Sequence, residues 1–139
     1  MFNYFQLETT SRHQTINISG NIENLIEKKG IKNGIAIVYT PHTTCGIMIN
    51  EWYDTDVQKD FLSYIKKLVP ADPNFKHMEG NSDSHLKSLI CGKEKTIIVE
   101  NVSLKLGTWD SIYFMEADGP RNRKVYVKII EGWINLNIP

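Results

Sequence analysis

The sequence of 139 residues has no CxxC pair, no disulfide framework and no excess charge of either sign. Its two cysteines, Cys45 and Cys91, have no clearly electropositive neighbours that would favour a reactive thiolate, so they read as buried thiols of a reducing compartment. Sixteen basic residues balance sixteen acidic ones, which gives no support to a nucleic-acid binder working through bulk positive charge. Zero net charge also does little to oppose self-association. There is no apolar N-terminal run of signal-peptide type, and no stretch nears the roughly 18 apolar residues that a membrane helix needs. A cytoplasmic protein without membrane contact is the expectation. No repeat, low-complexity segment or linker interrupts the chain, whose length suits one domain over residues 1–139.

What is present is a run of short periodic segments. "NYFQLETT" alternates as a strand does, and "QTINIS" after the "SRH" turn reads as a second strand. In "GNIENLIEKKG" the apolar Ile22, Leu25 and Ile26 fall at helical spacing. Ser19 or Asn21 can cap its start, and Gly30 can stop it. "GIAIVYTP" is continuously apolar, as a strand buried on both faces would be. "HTTCGIMINE" follows, read as a strand that opens at His42 and closes at Glu51. A helix from Thr55 to about Lys67 has a possible Thr55–Gln58 capping box and an apolar face of Val57, Phe61, Ile65 and Leu68. Residues 69–80 lack periodicity. A short helix then spans about Asp83 to Cys91, with Ser82 as its N-cap. "KTIIVE", "SLKLGTWDSIYFME" and "RKVYVKII" are strand-like, the last two divided by an "ADGPRN" turn. Seven or eight strands and three helices, with strands adjacent in sequence, predict an α+β fold with a largely antiparallel sheet.

Polar residues cluster in three of these segments. His42 lies beside Thr43 and Thr44, His77 in the irregular stretch before Glu79, and His85 on the short helix. Three neutral imidazoles from three elements can converge on a metal, although the His-x7-His spacing is no standard zinc signature. Glu51, directly after a buried-looking strand, is a candidate pocket acid. For Asp54 the preferred reading is a helix cap. In "LGTWD", Gly107 permits a close backbone approach, and Trp109 offers an apolar wall with one N–H donor. Glu116 and Arg121 flank the "DGP" turn. There they can pair with each other, or Arg121 can clamp a phosphate or carboxylate. No convincing Ser-His or Cys-His pair points to a protein nucleophile.

The chain resembles the YjbQ family, also named the secondary thiamine-phosphate synthase enzyme family. Four blocks in order carry the likeness: "HTTCGIMINE" with Asp54 and Asp60 after it, "HMEGNSDSHLKS", "LKLGTWDSI" and "MEADGPRNRKV". They span nearly the whole chain. The family's usual Gly-Thr-Trp-Gln reads Gly-Thr-Trp-Asp here, at Asp110. Its frequent alanine is Ser84, and Val102-Ser103 stands where it often has a glycine. The resemblance implies a compact α+β fold with a β-sandwich-like core, assembled as a homotrimer. It implies a polar pocket holding a divalent metal on His42, His77 and His85, zinc by preference, or magnesium with a diphosphate substrate. It carries Glu51 and Arg121 over as catalytic candidates, and Thr43, Asn81, Trp109, Glu116 and Arg121 as substrate-binding candidates. The implied activity is a weak joining of a pyrimidine diphosphate to a thiazole phosphate with release of pyrophosphate. A non-catalytic binder of metal or phosphometabolite, and a metal-dependent phosphoester hydrolase with Glu51 as base, use the same residues.

Overall fold

The computed structural model describes residues 2–132. Eight strands and three helices are described, β1 (Asn3–Glu8), β2 (Gln14–Asn17), α1 (Ser19–Lys29), β3 (Gly34–Tyr39), β4 (Cys45–Glu51), α2 (Thr55–Leu68), α3 (Ser82–Cys91), β5 (Glu94–Glu100), β6 (Ser103–Leu104), β7 (Asp110–Glu116) and β8 (Asn122–Glu131). Every strand pairing among the described residues is antiparallel. One sheet has the order β1-β8-β3-β5-β6, the other β2-β7-β4. Strand periodicity places Ala36, Val38, Val125 and Val127 of the first sheet in one apolar cluster with Ile47, Ile112 and Phe114 of the second, and Ile22 and Ile26 of α1 join them. The α+β architecture with a sandwich-like core is the one that the sequence predicts.

Local differences have identifiable causes. Strand β3 is buried on one face only, because no described helix lies across the outside of its sheet, leaving Tyr39, Ile98 and Ile130 exposed. Strand β4 begins at Cys45, so His42 sits in the loop before it. Helix α1 has no side-chain cap. Ser19 instead spends its hydroxyl accepting from the Ile112 N–H at 2.7 Å, and Gly30 ends the helix with φ 63° as expected. Asp54, not a Thr55–Gln58 box, caps α2 by accepting from Asp56 N, while the Gln58 amide reaches Glu51 O. Ser82 lies inside α3, with Asn81 at the N-cap position and its side chain engaged elsewhere.

The "SLKLGTWDSIYFME" stretch is two strands, because Gly107 and Asp110 close a turn on each other: Asp110 N donates to Gly107 O, and Gly107 N to Asp110 Oδ2. Between β5 and β6, Asn101 and Val102 both have positive φ, 53° and 61°. Asparagine tolerates that region, whereas a β-branched valine is strained in it.

Helix α3 lies close against β4 at Gly46. A Cβ there would come within 2.7 Å of Gly92 O and 2.9 Å of the Cys91 Cβ. The adjacent Ile47 N–H donates to the same Gly92 carbonyl at 3.0 Å, so the helix end has little freedom to retreat. Gly46→Ala is therefore expected to destabilise the fold by about 1–3 kcal/mol, as overpacked sites do. A lowered urea midpoint without a change in slope would register it.

Candidate functional site

The loop before β4, the start of α3 and the turn between β7 and β8 meet around a cavity of about 370 Å³. Its lining is polar: His42, Thr43 and Thr44 from the loop, Glu79, Asn81 and His85 from the α3 side, and Asp118, Arg121 and Arg123 from the turn and β8. Beneath it lies an ion pair sealed from solvent. The Arg123 guanidinium donates through both Nε and Nη2 to the Glu116 carboxylate, and a further bond runs from Nη2 to Thr44 Oγ1 at 2.8 Å. Glu116 also accepts from Thr9 Oγ1 at 2.6 Å and from the N–H groups of Ala117 and Asp118. Burial pulls against the charge on Arg123, but the bonded Glu116 outweighs it and moves the guanidinium pKa up.

The ring of His42 is committed on one side. Its Nε2 accepts the Lys124 N–H at 2.9 Å, and a backbone amide can only donate. In the neutral ring the proton therefore sits on Nδ1. Burial, with Arg123 next in weight, lowers the His42 pKa and keeps the ring neutral. Arg121 is held by Asp118, through Nε to the carbonyl at 2.8 Å and Nη2 to the carboxylate at 2.9 Å, while the guanidinium stays exposed. Asn81 Nδ2 donates to the same Asp118 oxygen at 2.8 Å. Since a carboxylate cannot donate to an amide oxygen, this contact fixes the amide orientation and leaves Asn81 Oδ1 buried without a partner among the described residues.

Five of the residues predicted for the site do meet here: His42, Thr43, Asn81, His85 and Arg121 line the cavity. Glu116 belongs to its buried foundation. His77 stands outside the lining, its ring centroid 5.1 Å from that of His85. Glu51 and Trp109 do not join them. They lie at the opposite end of the β4–β7 pair, where Glu51 is opposite Asp110, whereas Cys45 next to the cavity is opposite Glu116. Six strand steps separate the two ends, about 20 Å. Arg123 went unread. Its signal is parity: it shares the inward face of β8 with Val125 and Val127, where an arginine needs a buried partner.

A three-histidine metal centre does not fit this arrangement. The Nε2 lone pair of His42 is already used, and His77, whose ring lies against His85, stands outside the cavity that His42 and His85 line. Among the described residues, no group of three or more His, Cys, Asp or Glu side chains is placed to hold a metal ion. The donor set of a neutral Nδ1–H, a hydroxyl and a guanidinium suits an anion.

The fold and pocket thus define a small α+β protein with a polar, donor-rich cleft between its sheets. The chain matches the family described as UPF0047 protein YjbQ-like over residues 3–132, and it belongs to that family. A UPF0047 protein of Methanocaldococcus jannaschii is 45% identical over 126 residues, 91% of each chain. The UPF0047 protein YugU of Bacillus subtilis is 44% identical over 131 residues, 94% of this chain and 99% of its own. Among solved structures, an uncharacterised conserved YjbQ/UPF0047 protein of Clostridium acetobutylicum superposes with a TM-score of 0.89 at 46% identity, covering 92% of this chain and 99% of that one. A YbjQ-like protein of unknown function from Sulfolobus solfataricus gives 0.89 at 31% identity, covering 95% and 97%. No described helix is long and apolar enough to cross a membrane.

A second polar cluster anchors α3. Asp83 and Lys87, one helical turn apart and both buried, pair at 2.7 Å, and Lys87 Nζ also donates to His13 Nε2 at 2.9 Å. Arg12 Nη2 reaches both Asp83 oxygens at 3.1 Å. Burial tends to raise the Asp83 pKa, but the Lys87 bond and the two cations lower it on balance. His13 is lowered from 6.5 to about 4, by burial first and then by Lys87, Arg12 and Lys66, against a smaller opposing pull from Asp83. The unfolded chain thus binds the extra proton more readily than the folded one. The contribution of a neutral His13 is fully present above pH 6.5 and is lost as pH falls from there towards 4. An NMR titration should place the His13 midpoint near 4, and His13→Gln should flatten the fall in stability across that window.

Proposed function

We propose that the cavity is an oxyanion site and that the protein binds a small phosphorylated metabolite through it. The observation that carries this reading is the single backbone N–H of Lys124 bonded to His42 Nε2. It makes the other ring nitrogen a fixed donor, next to the hydroxyl of Thr43 and the guanidinium of Arg121. Preorganised donors of this kind stabilise phosphate oxygens without reorganisation at the moment of binding. The transferase chemistry implied by the family name asks for the same groups. Departure of pyrophosphate from a pyrimidine diphosphate needs donors at the leaving oxygens and no protein nucleophile. The hydrolase reading is weaker, because Glu51, its base, stands at the far end of β4.

Calorimetry with inorganic phosphate and a simple phosphomonoester tests the site. Arg121→Ala and His42→Ala should each weaken binding by about tenfold or more, the loss expected for a charge-assisted or preorganised bond. Trp109→Ala should leave it unchanged. Binding should survive chelation of divalent metal; strict dependence on zinc would replace the oxyanion reading with a metal centre. Pyrophosphate release from the pyrimidine diphosphate and thiazole phosphate pair would separate an enzyme from a binding protein.

The assembly we propose is a homotrimer closed by two different apolar patches on each copy. A cyclic trimer is heterologous, so each subunit must offer two complementary surfaces. One is the groove of about 610 Å³ on the outer sheet face around Ile35, Ile98 and Ile130. The other surrounds the cleft of about 450 Å³ near Leu68, Leu86, Leu89 and Ile90. Light scattering should give three times the 16.0 kDa chain mass. Ile98→Asp and Leu89→Asp should each yield monomers, while a monomeric wild type would refute the ring.

A further inference from the structure

The far end of the β4–β7 pair has a chemistry of its own. Glu51 and Asp110 are directly opposite in register, so two carboxylates share one face of the pair. Like charges so placed destabilise a sheet unless something lies between them. The pairing runs one step further, with Trp52 N donating to Trp109 O at 2.9 Å. Three aromatic rings follow in a row. Trp52 meets Tyr53 at 5.8 Å and 82°, and Tyr53 meets Trp109 at 5.4 Å and 55°. They are 45%, 69% and 53% exposed, so the row forms an angled, open corner.

Among the described residues no lysine or arginine serves this corner. Elsewhere the protein places cations on its rings, Lys93 over Tyr39 and Lys124 over Tyr4, but among the described residues none lies over Trp52, Tyr53 or Trp109. Nor do Glu51, Asp54 or Asp110 enter any salt bridge among the described residues. A third observation concerns Gln58, which is only 9% exposed. Its amide lies against Glu51, with Nε2 donating to the Glu51 carbonyl at 3.3 Å, and its Oε1 is buried without a partner among the described residues.

We propose that this corner, formed by Glu51, Asp110, Trp52, Tyr53 and Trp109, binds an organic cation of the alkylated-ammonium class. Ring faces attract a cation through their quadrupole, and the paired carboxylates add the opposite charge. A bare ammonium is strongly hydrated and gains little at so open a site. An ammonium clothed in methyl groups has less hydration to lose and presents carbon to the rings.

The test is a titration of wild-type protein with choline and with its neutral carbon isostere, dimethylbutanol, followed on the indole N–H resonances of Trp52 and Trp109. Choline should bind saturably and about tenfold more tightly than the alcohol, with an affinity that falls as salt is added. Trp109→Ala should weaken it about three- to tenfold and Trp109→Phe should restore most of the loss. Asp110→Gln should weaken choline and leave the alcohol unchanged. Unchanged backbone amide resonances away from the corner confirm that each variant is folded. Equal affinity for choline and the alcohol, full binding by Trp109→Ala, or no saturable shift would overturn the proposal. Displacement of choline by magnesium or calcium at equal concentration would overturn it too, by making the corner a plain divalent-cation site.

Discussion

One ion pair, Glu116 with Arg123, ties the two sheets together where the cavity opens. Glu116 ends β7 in one sheet and Arg123 lies near the start of β8 in the other. Taking both charges out of water is costly, and a buried pair of this kind is weak ground for claiming net stability. Its effect is geometric. Through Thr9 it holds the end of β1, through Thr44 the loop carrying His42, and through Ala117 and Asp118 the turn carrying Arg121. Loss of either partner would strand a charge in a dry interior and release three segments at once. The polar cleft is thus rigid for the same reason that the sandwich is closed at that end.

The periodic elements were legible because each is specified locally. Alternation on β8, the spacing of Val57, Phe61 and Ile65 on α2 and the glycine after α1 involve neighbours a few residues apart, whereas Leu68, expected on the same face, is exposed. The site was legible only by motif. "HTTCGIMINE" places His42 and Glu51 in one block, yet a strand carries its two ends apart, and the ends serve different places. What His42 does depends on Lys124, 82 residues further along, whose amide selects the ring tautomer. No local pattern contains that bond. Likewise His13 lies outside all four family blocks, but Lys87 brings it against α3 from 74 residues away. The spacing of Asp83 and Lys87 permits an i,i+4 pair on the helix, although the sequence reading does not name it. Nothing local shows its burial, because the covering Arg12 and His13 come from the chain's beginning.

The three-stranded sheet therefore carries distinct chemistry at its two ends. At one, donors converge, and Glu116 and Asp118 are paired with Arg123 and Arg121. At the other, two carboxylates oppose each other beside bare rings. Asp110 has a local duty at that second end, since it closes the turn with Gly107, and a longer amide is not required for that contact. The departure from the family's glutamine at this position adds a charge without removing the turn.

The bond from Thr9 to Glu116 spans 107 positions of a chain of 139. A fold dominated by such distant pairings gathers itself slowly, because closing long loops costs entropy before contacts repay it. During synthesis Glu116 leaves the ribosome seven residues ahead of Arg123, the group that neutralises it. No amino-terminal fragment can rehearse the pocket. Its walls come into being only when β8 arrives, so an intact pocket reports on completion of the fold from β1 to β8.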